Sequence, residues 1–138
     1  MTTPLLCLLG FAGWAVLLVV AVGSARALQV LTGKASANSF PSGTQHGGDA
    51  YWRLNRAHVN TLESLPIFAS VMLVAAVAQV SDPAIDRAAV VALGARVGQS
   101  LVHVAGNTNM HVNVRFAFFL VQLASFVEIG VRAGLALG

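Results

Sequence analysis

Apolar residues run almost unbroken from Pro4 to Val22, and no charged residue appears before Arg26. That run fits one crossing of a hydrocarbon core of about 30 Å, so a first membrane helix is predicted over 4–30. There is no basic stretch ahead of it, and it exceeds the 7–15 apolar residues of a secretory leader. The Ala25-Arg26-Ala27 triplet is therefore read as the end of a membrane helix and not as a cleavage site. From Thr32 to Ala50 the pattern switches to Gly, Ser, Asn, Pro and Thr, turn chemistry that predicts one long connection. Helical patterning returns at Tyr51 and predicts a second helix over 51–80. At roughly 45 Å this helix is several turns longer than the membrane core, so its start projects from the bilayer. Ser81-Asp82-Pro83 supplies a short turn with an N-cap candidate and opens a third helix over 83–105. Gly106, Asn107 and Asn109 break it, and a fourth is predicted over 112–137.

Composition turns these four segments into an architecture. Of 138 residues 57% are apolar and 9% charged, against roughly 45–50% and about 25% in an ordinary soluble domain. Four spans of about 20 residues leave roughly 58 for ends and connections. The expected fold class is thus an all-α, integral membrane four-helix bundle, one domain over 1–138 with no room for a separate soluble part. The net charge of +3 is spread along the helices, not gathered into a basic tract, which argues against nucleic acid as a partner. The single cysteine, Cys7, cannot form an intrachain disulfide and is read as a lipid- or core-facing side chain. Arg26, Lys34, Arg53, Arg56 and Arg115 gather at the end carrying the first and third connections, against Arg87 and Arg132 at the other. The rule that cytoplasmic loops are basic then turns the first end to the cytoplasm and both termini away from it.

Several polar residues fall where a bilayer does not tolerate them. Arg53, Arg56, Asn60 and Glu63 recur at i, i+3, i+7 and i+10 and form one stripe on the second helix. Arg96, Gln99, Ser100 and His103 share a face of the third. The fourth opens with His111, Asn113 and Arg115 and carries Gln122 deeper. Ionised groups at bilayer depth cost a few kcal/mol or more each, so these faces must meet one another, a watery cavity or the interface. Mutual pairing, Glu63 with Arg96 or Arg56, is one outcome. It leaves positive charge over, because five arginines at this end face essentially Asp49 and Glu63. Surplus guanidinium in a low-dielectric surround points to an anionic ligand, carboxylate above all. Pro66 removes the hydrogen bond to the Leu62 carbonyl and predicts a kink beside Glu63. The histidines have no ligand spacing for a metal, and His46 in the Gly-rich loop is read as solvated.

The segment Arg56-Ala57-His58-Val59-Asn60-Thr61-Leu62-Glu63-Ser64-Leu65-Pro66-Ile67-Phe68 resembles the signature of the superfamily of membrane-associated proteins in eicosanoid and glutathione metabolism (MAPEG), which includes microsomal glutathione transferases and leukotriene C synthase. Ser24-Ala25-Arg26 ending the first helix, the Gly-rich first loop, Arg96, and Val114-Arg115 opening the fourth helix extend the likeness over essentially the whole chain. The resemblance implies a homotrimer in a bacterial inner membrane, with glutathione as co-substrate bound between neighbours at the cytoplasmic end. By position, Arg56, Asn60 and Glu63 would hold its polar groups, Arg26 would reach a carboxylate from the adjacent subunit, and Arg115 would contact the sulfur. Gln99 and His103 belong to the same pocket, at positions where relatives often carry His or Tyr and Tyr respectively.

The chemistry of the last contact follows from general principles. Only the thiolate is a good nucleophile, and a guanidinium that lowers a thiol from about 8.5 by about two units supplies roughly 2.7 kcal/mol. The expected function is a glutathione-dependent transferase or peroxidase acting on hydrophobic electrophiles or lipid hydroperoxides. Two alternatives stand beside it: a non-catalytic lipid-binding or scaffold protein of the same family, and a small transporter using Glu63 as a proton-coupled site. Arginines around Glu63 hold it ionised, which counts against proton exchange near neutral pH.

Overall fold

Each helix begins and ends where local backbone chemistry dictates. In the computed structural model, which describes residues 2–138, the elements are α1 (Thr2–Leu31), α2 (Asp49–Val77), α3 (Pro83–Ala105) and α4 (Asn109–Leu135). Gly33 ends α1 at φ 70°, a left-handed conformation that costs glycine nothing; the Lys34 amide then closes on the Gln29 carbonyl at 2.9 Å. Helix α2 ends the same way without a glycine. Gln79 takes φ 53°, and the amides of Gln79 and Val80 return to Ala76 and Ala75 at 3.1 and 3.0 Å. This closure stops α2 at Val77, short of the expected residue 80. At its start α2 reaches back to Asp49, and it stays one helical element through Pro66. Asp82 caps α3 by accepting the Ala84 amide at 2.8 Å, with Pro83 at the first helical position. Thr108 caps α4 through the His111 amide at 3.4 Å, so α4 starts three residues earlier than the periodicity predicted.

The connections 78–82 and 106–108 are too short for anything but antiparallel neighbours. Helix α1 packs on α2 and α3, α4 packs on α2 and α3, and α1 and α4 do not touch among the described residues. The pair α2 and α3 therefore forms the middle of the bundle. All four helices are long and apolar enough to cross a membrane, and side chains such as Leu6, Leu9, Val20, Leu101 and Val127 point outward. This is an integral membrane bundle whose exposed apolar surface suits lipid.

The main apolar cluster lies towards one end. Phe11, Phe68, Met72, Ile85, Ala89, Ala92 and Ile129 are buried there together with Cys7, whose side chain is thus core-facing. Phe68 lies between Phe11 and Phe126, with centroids at 5.1 and 5.4 Å. The buried alanines of α3 (Ala84, Ala88, Ala89, Ala92, Ala95) let neighbouring backbones approach closely, the packing that drives association where lipid removes the hydrophobic incentive. At this end Arg132 also bridges Asp82 at 2.8 Å and Glu128 at 3.1 Å, tying the α2–α3 turn to the end of α4.

Two measurements check this account. Phe68→Ala leaves a ring-sized void between two aromatic neighbours, so reversible unfolding in detergent should show a loss of about 3–5 kcal/mol. The Asp82 carboxyl is held below its ordinary value of 3.8 by the Ala84 amide first and the Arg132 guanidinium second. A depressed folded-state value means that the stabilisation is complete above the unfolded value and disappears as acid protonates the folded carboxylate. The melting temperature should therefore fall below about pH 4. Asp82→Asn, which keeps a capping side chain, should show a smaller acid-induced drop.

Candidate functional site

Above the apolar core the bundle interior turns polar in successive layers. The deepest holds Arg96, which is 2% exposed. At about 1.5 Å per residue it sits roughly 10 Å along α3 from His103, well inside the membrane. A guanidinium at such depth requires partners. One Nη donates to Ser64 Oγ in a short hydrogen bond, and its Cζ lies 5.6 Å from the Phe11 ring centroid, a cation–π contact. Its Nε has no partner among the described residues. Beside it Ser100 accepts from Trp14 Nε1 at 3.1 Å and donates to the Arg96 carbonyl at 2.9 Å. The expected pairing of Glu63 with Arg96 or Arg56 is not made: the ion pairs among the described residues all involve Arg132, at the opposite end. Glu63 is exposed on this protomer and Arg96 takes a hydroxyl instead.

The next layer contains two directed chains of side-chain amides. Arg56 donates to Asn60 Oδ1 at 3.5 Å, which leaves Asn60 Nδ2 to donate to His103 Nδ1 at 3.3 Å. The His103 ring thus accepts at Nδ1 and carries its hydrogen on Nε2. Across the bundle, Gln122 Nε2 donates to Gln99 Oε1 at 2.9 Å and Gln99 Nε2 donates to the Arg115 carbonyl at 3.0 Å. Arg115 extends its own guanidinium to Asn107 Oδ1 at 3.0 Å, and Arg53 donates to the Val104 carbonyl at 3.0 Å at the end of α3.

These residues surround two adjoining crevices. One, of about 440 Å³, is lined by Arg56, Asn60, Gln99, His103, Asn107, Arg115, Phe116 and Phe119. The other, of about 340 Å³, is lined by Asn60, Glu63, Ser64, Ile67, Arg96, Gln99 and Phe119. They share Asn60, Gln99 and Phe119 as walls. Arg56, Asn60, Glu63, Gln99, His103 and Arg115 are therefore brought together, with three guanidiniums facing one carboxylate around the pair of crevices. The stacked rings of Phe116 and Phe119, with centroids 6.3 Å apart, give the site an apolar flank.

Arg26 lies elsewhere. It donates to Tyr51 Oη at 2.6 Å and to Asn55 Oδ1 at 3.5 Å and covers the Phe40 and Tyr51 rings. It lines a separate cavity of about 270 Å³, on another flank of α2, with Asn55, His58 and the 41–46 loop. His46, expected to be solvated, is half-buried against Phe40, Tyr51 and Trp52, because its Nδ1 is tied to the Thr44 carbonyl and its Nε2 to Tyr51 Oη. Two contributors escaped the sequence reading. Ser64 is one turn past Asn60 on the same stripe, so extending the stripe by i+4 would have found it. Asn107 read as a helix breaker, and nothing local signals that its amide reaches Arg115.

Compared with known families, the chain matches the family model described as MAPEG family over residues 4–135. No curated protein matches it.

The Arg96 layer yields a stability prediction. Ser64→Ala removes the acceptor of a buried guanidinium, and thermal or chemical unfolding should report a loss of about 1–3 kcal/mol. Adding Arg96→Met to that background should recover part of it, since removing both partners costs less than stranding one.

Proposed function

Because the chain belongs to the MAPEG family, we propose that it is a glutathione-dependent transferase or peroxidase acting on lipophilic substrates delivered from the bilayer. The observation that carries this reading is the convergence of Arg56, Asn60 and Arg115 on one crevice, joined by Glu63 in the next. The volumes fall in the range of about 300–1,000 Å³ typical of small-molecule sites. The charge pattern also suits the ligand. Glutathione carries two carboxylates, one ammonium group and a thiol, and the crevices offer guanidiniums in excess of a single carboxylate.

Arg56 and Arg96 supply charge-assisted donors for a carboxylate, Glu63 accepts from the ammonium group, and Asn60, Gln99 and His103 complete the peptide's hydrogen bonds. Arg115 lines the larger crevice and stabilises the thiolate as a fixed cation, without acting as a base. The sulfur then forms a bond to an electrophilic carbon while the departing or ring-opened atom takes a proton. With a hydroperoxide, two glutathione molecules become the disulfide as the O–O bond is reduced to alcohol and water. Phe116 and Phe119 supply the apolar wall along which a lipophile approaches, and holding both reactants together contributes by proximity.

Arg26 joins this scheme from a second copy. Its cavity is separate from the crevices of its own protomer, while Arg56 and Glu63 are exposed on an otherwise membrane-suited surface. A homotrimer that sets the Arg26 flank of one subunit against the crevice of the next covers both. The basic end carrying this site faces the cytoplasm of a bacterial inner membrane.

Thiolate absorbance on adding glutathione to detergent-purified protein tests the reading. With Arg115 lowering the thiol by about two units, roughly three quarters of bound glutathione is thiolate at pH 7, and Arg115→Ala should reduce this to a few per cent. Absence of glutathione binding overturns the proposal. Binding without thiolate in the wild type assigns the protein to a non-catalytic lipid-binding role instead.

A further inference from the structure

Gln122 is 1% exposed and Gln99 8%, and both carry primary amides into the interior of a membrane bundle. Buried amides of this kind cost stability unless every polar atom is partnered. Here one is not: Gln122 Oε1 has no partner among the described residues. An apolar side chain at position 122 would avoid that cost, so packing alone gives no reason for an amide there.

What the amide does is directional. Gln122 Nε2 donates twice, to the Phe118 carbonyl at 3.2 Å and to Gln99 Oε1 at 2.9 Å. Gln99 Oε1 is thereby fixed as an acceptor, so Gln99 Nε2 points at the Arg115 carbonyl, 3.0 Å away. Reversing either amide would set oxygen against oxygen, so one arrangement satisfies the chain. Close contact between α3 and α4 in this layer reinforces it: a Cβ on Gly98 would lie 2.8 Å from the Phe118 ring, so a larger residue there would have to push that ring aside. The main chain of Arg115 is held by Gln99, and its guanidinium by Asn107 at 3.0 Å.

We propose that Gln122 is a positioning residue for thiol activation, acting through Gln99 to fix the main chain from which the Arg115 guanidinium reaches the sulfur. The inference rests on the role proposed above for Arg115. Without the Gln122 donor, Gln99 Oε1 is left dry and turns towards the crevice to find one. The Arg115 carbonyl then loses its partner across the helix interface. A guanidinium displaced by a fraction of an ångström stabilises a thiolate less, while Arg56, Asn60, Glu63 and His103 keep their grip on the peptide of glutathione.

The test is a pH titration of thiolate absorbance at saturating glutathione with the full-length chain in detergent. Gln122→Met, similar in size but without a donor, should raise the midpoint by about half a unit, taking bound thiolate at pH 7 from roughly three quarters to about half. The glutathione dissociation constant should change by less than about twofold, because Arg56, Asn60, Glu63 and His103 keep their contacts to the peptide. Gln122→Asn keeps an amide one methylene too short to reach Gln99 and should move the midpoint likewise, which covers the case in which the methionine variant does not fold. If Arg115→Ala raises the midpoint and neither Gln122 variant does, Gln122 is only structural and the inference is wrong, even where melting temperature falls. If Arg115→Ala leaves the midpoint unchanged, the thiol-activating role of Arg115 fails, and the positioning role of Gln122 fails with it.

Discussion

A guanidinium buried to 2% exposure inside a membrane bundle, with no carboxylate within ion-pair distance, has to be held by dipoles. Arg96 is held by one serine hydroxyl and by the face of Phe11. The surrounding layers are ordered by the same constraint. Low dielectric strengthens every hydrogen bond that is made and penalises every polar atom left alone. Side-chain amides consequently line up in chains whose direction is forced, from Arg56 through Asn60 to His103 and from Gln122 through Gln99 to Arg115. Charges that find no partner inside the protomer, Glu63 above all, are left at the crevice wall.

The bundle separates this polar half from an apolar one. At the end with the chain termini, Phe11, Phe68, Met72, Ile85 and Ile129 pack against the alanine face of α3, and Arg132 staples the α2–α3 turn. Nothing there has to be accommodated, so that end supplies the stability that lets the other end keep unpaired atoms. Phe11 links the halves: it packs on Phe68 in the core and also lies against the Arg96 guanidinium.

Local chemistry made most of the fold legible. Runs of apolar residues long enough to cross a bilayer, the Gly-rich break after α1 and the Asp82-Pro83 cap each determine structure within a few residues of themselves. Where the reading missed, the cause was equally specific. Helix α2 stops at Val77 because Gln79, not a glycine, adopts the left-handed turn, and α4 starts at Asn109 because Thr108 caps it within a stretch that reads as a breaker. For the site, helical spacing placed Arg56, Asn60 and Glu63 on one stripe and Gln99 and His103 on another, and these faces do meet. Spacing along one helix carries no information about which face of the next helix opposes it. The Asn107 contact to Arg115 and the burial of His46 among aromatic rings arise between elements and were invisible for that reason, whereas Ser64 lies on the Asn60 stripe and only its partner, Arg96, was hidden.

The same distinction explains why Arg26 and Arg115, both at the basic end of the bundle, are held in unlike ways. Arg26 is immobilised on its own protomer by a phenol, an amide and two aromatic faces, which aim it at a cavity on the flank of α2 remote from the crevice. Arg115 has a single amide at its tip and a hydrogen-bonded carbonyl at its base, in a crevice walled partly by phenylalanine. A cation held on every side is suited to gripping a fixed charge. One anchored at both ends but open along its flank is suited to meeting charge that develops during a reaction, because it need not reorganise when that charge appears. The apolar wall of Phe116 and Phe119 lowers the local dielectric and increases that effect.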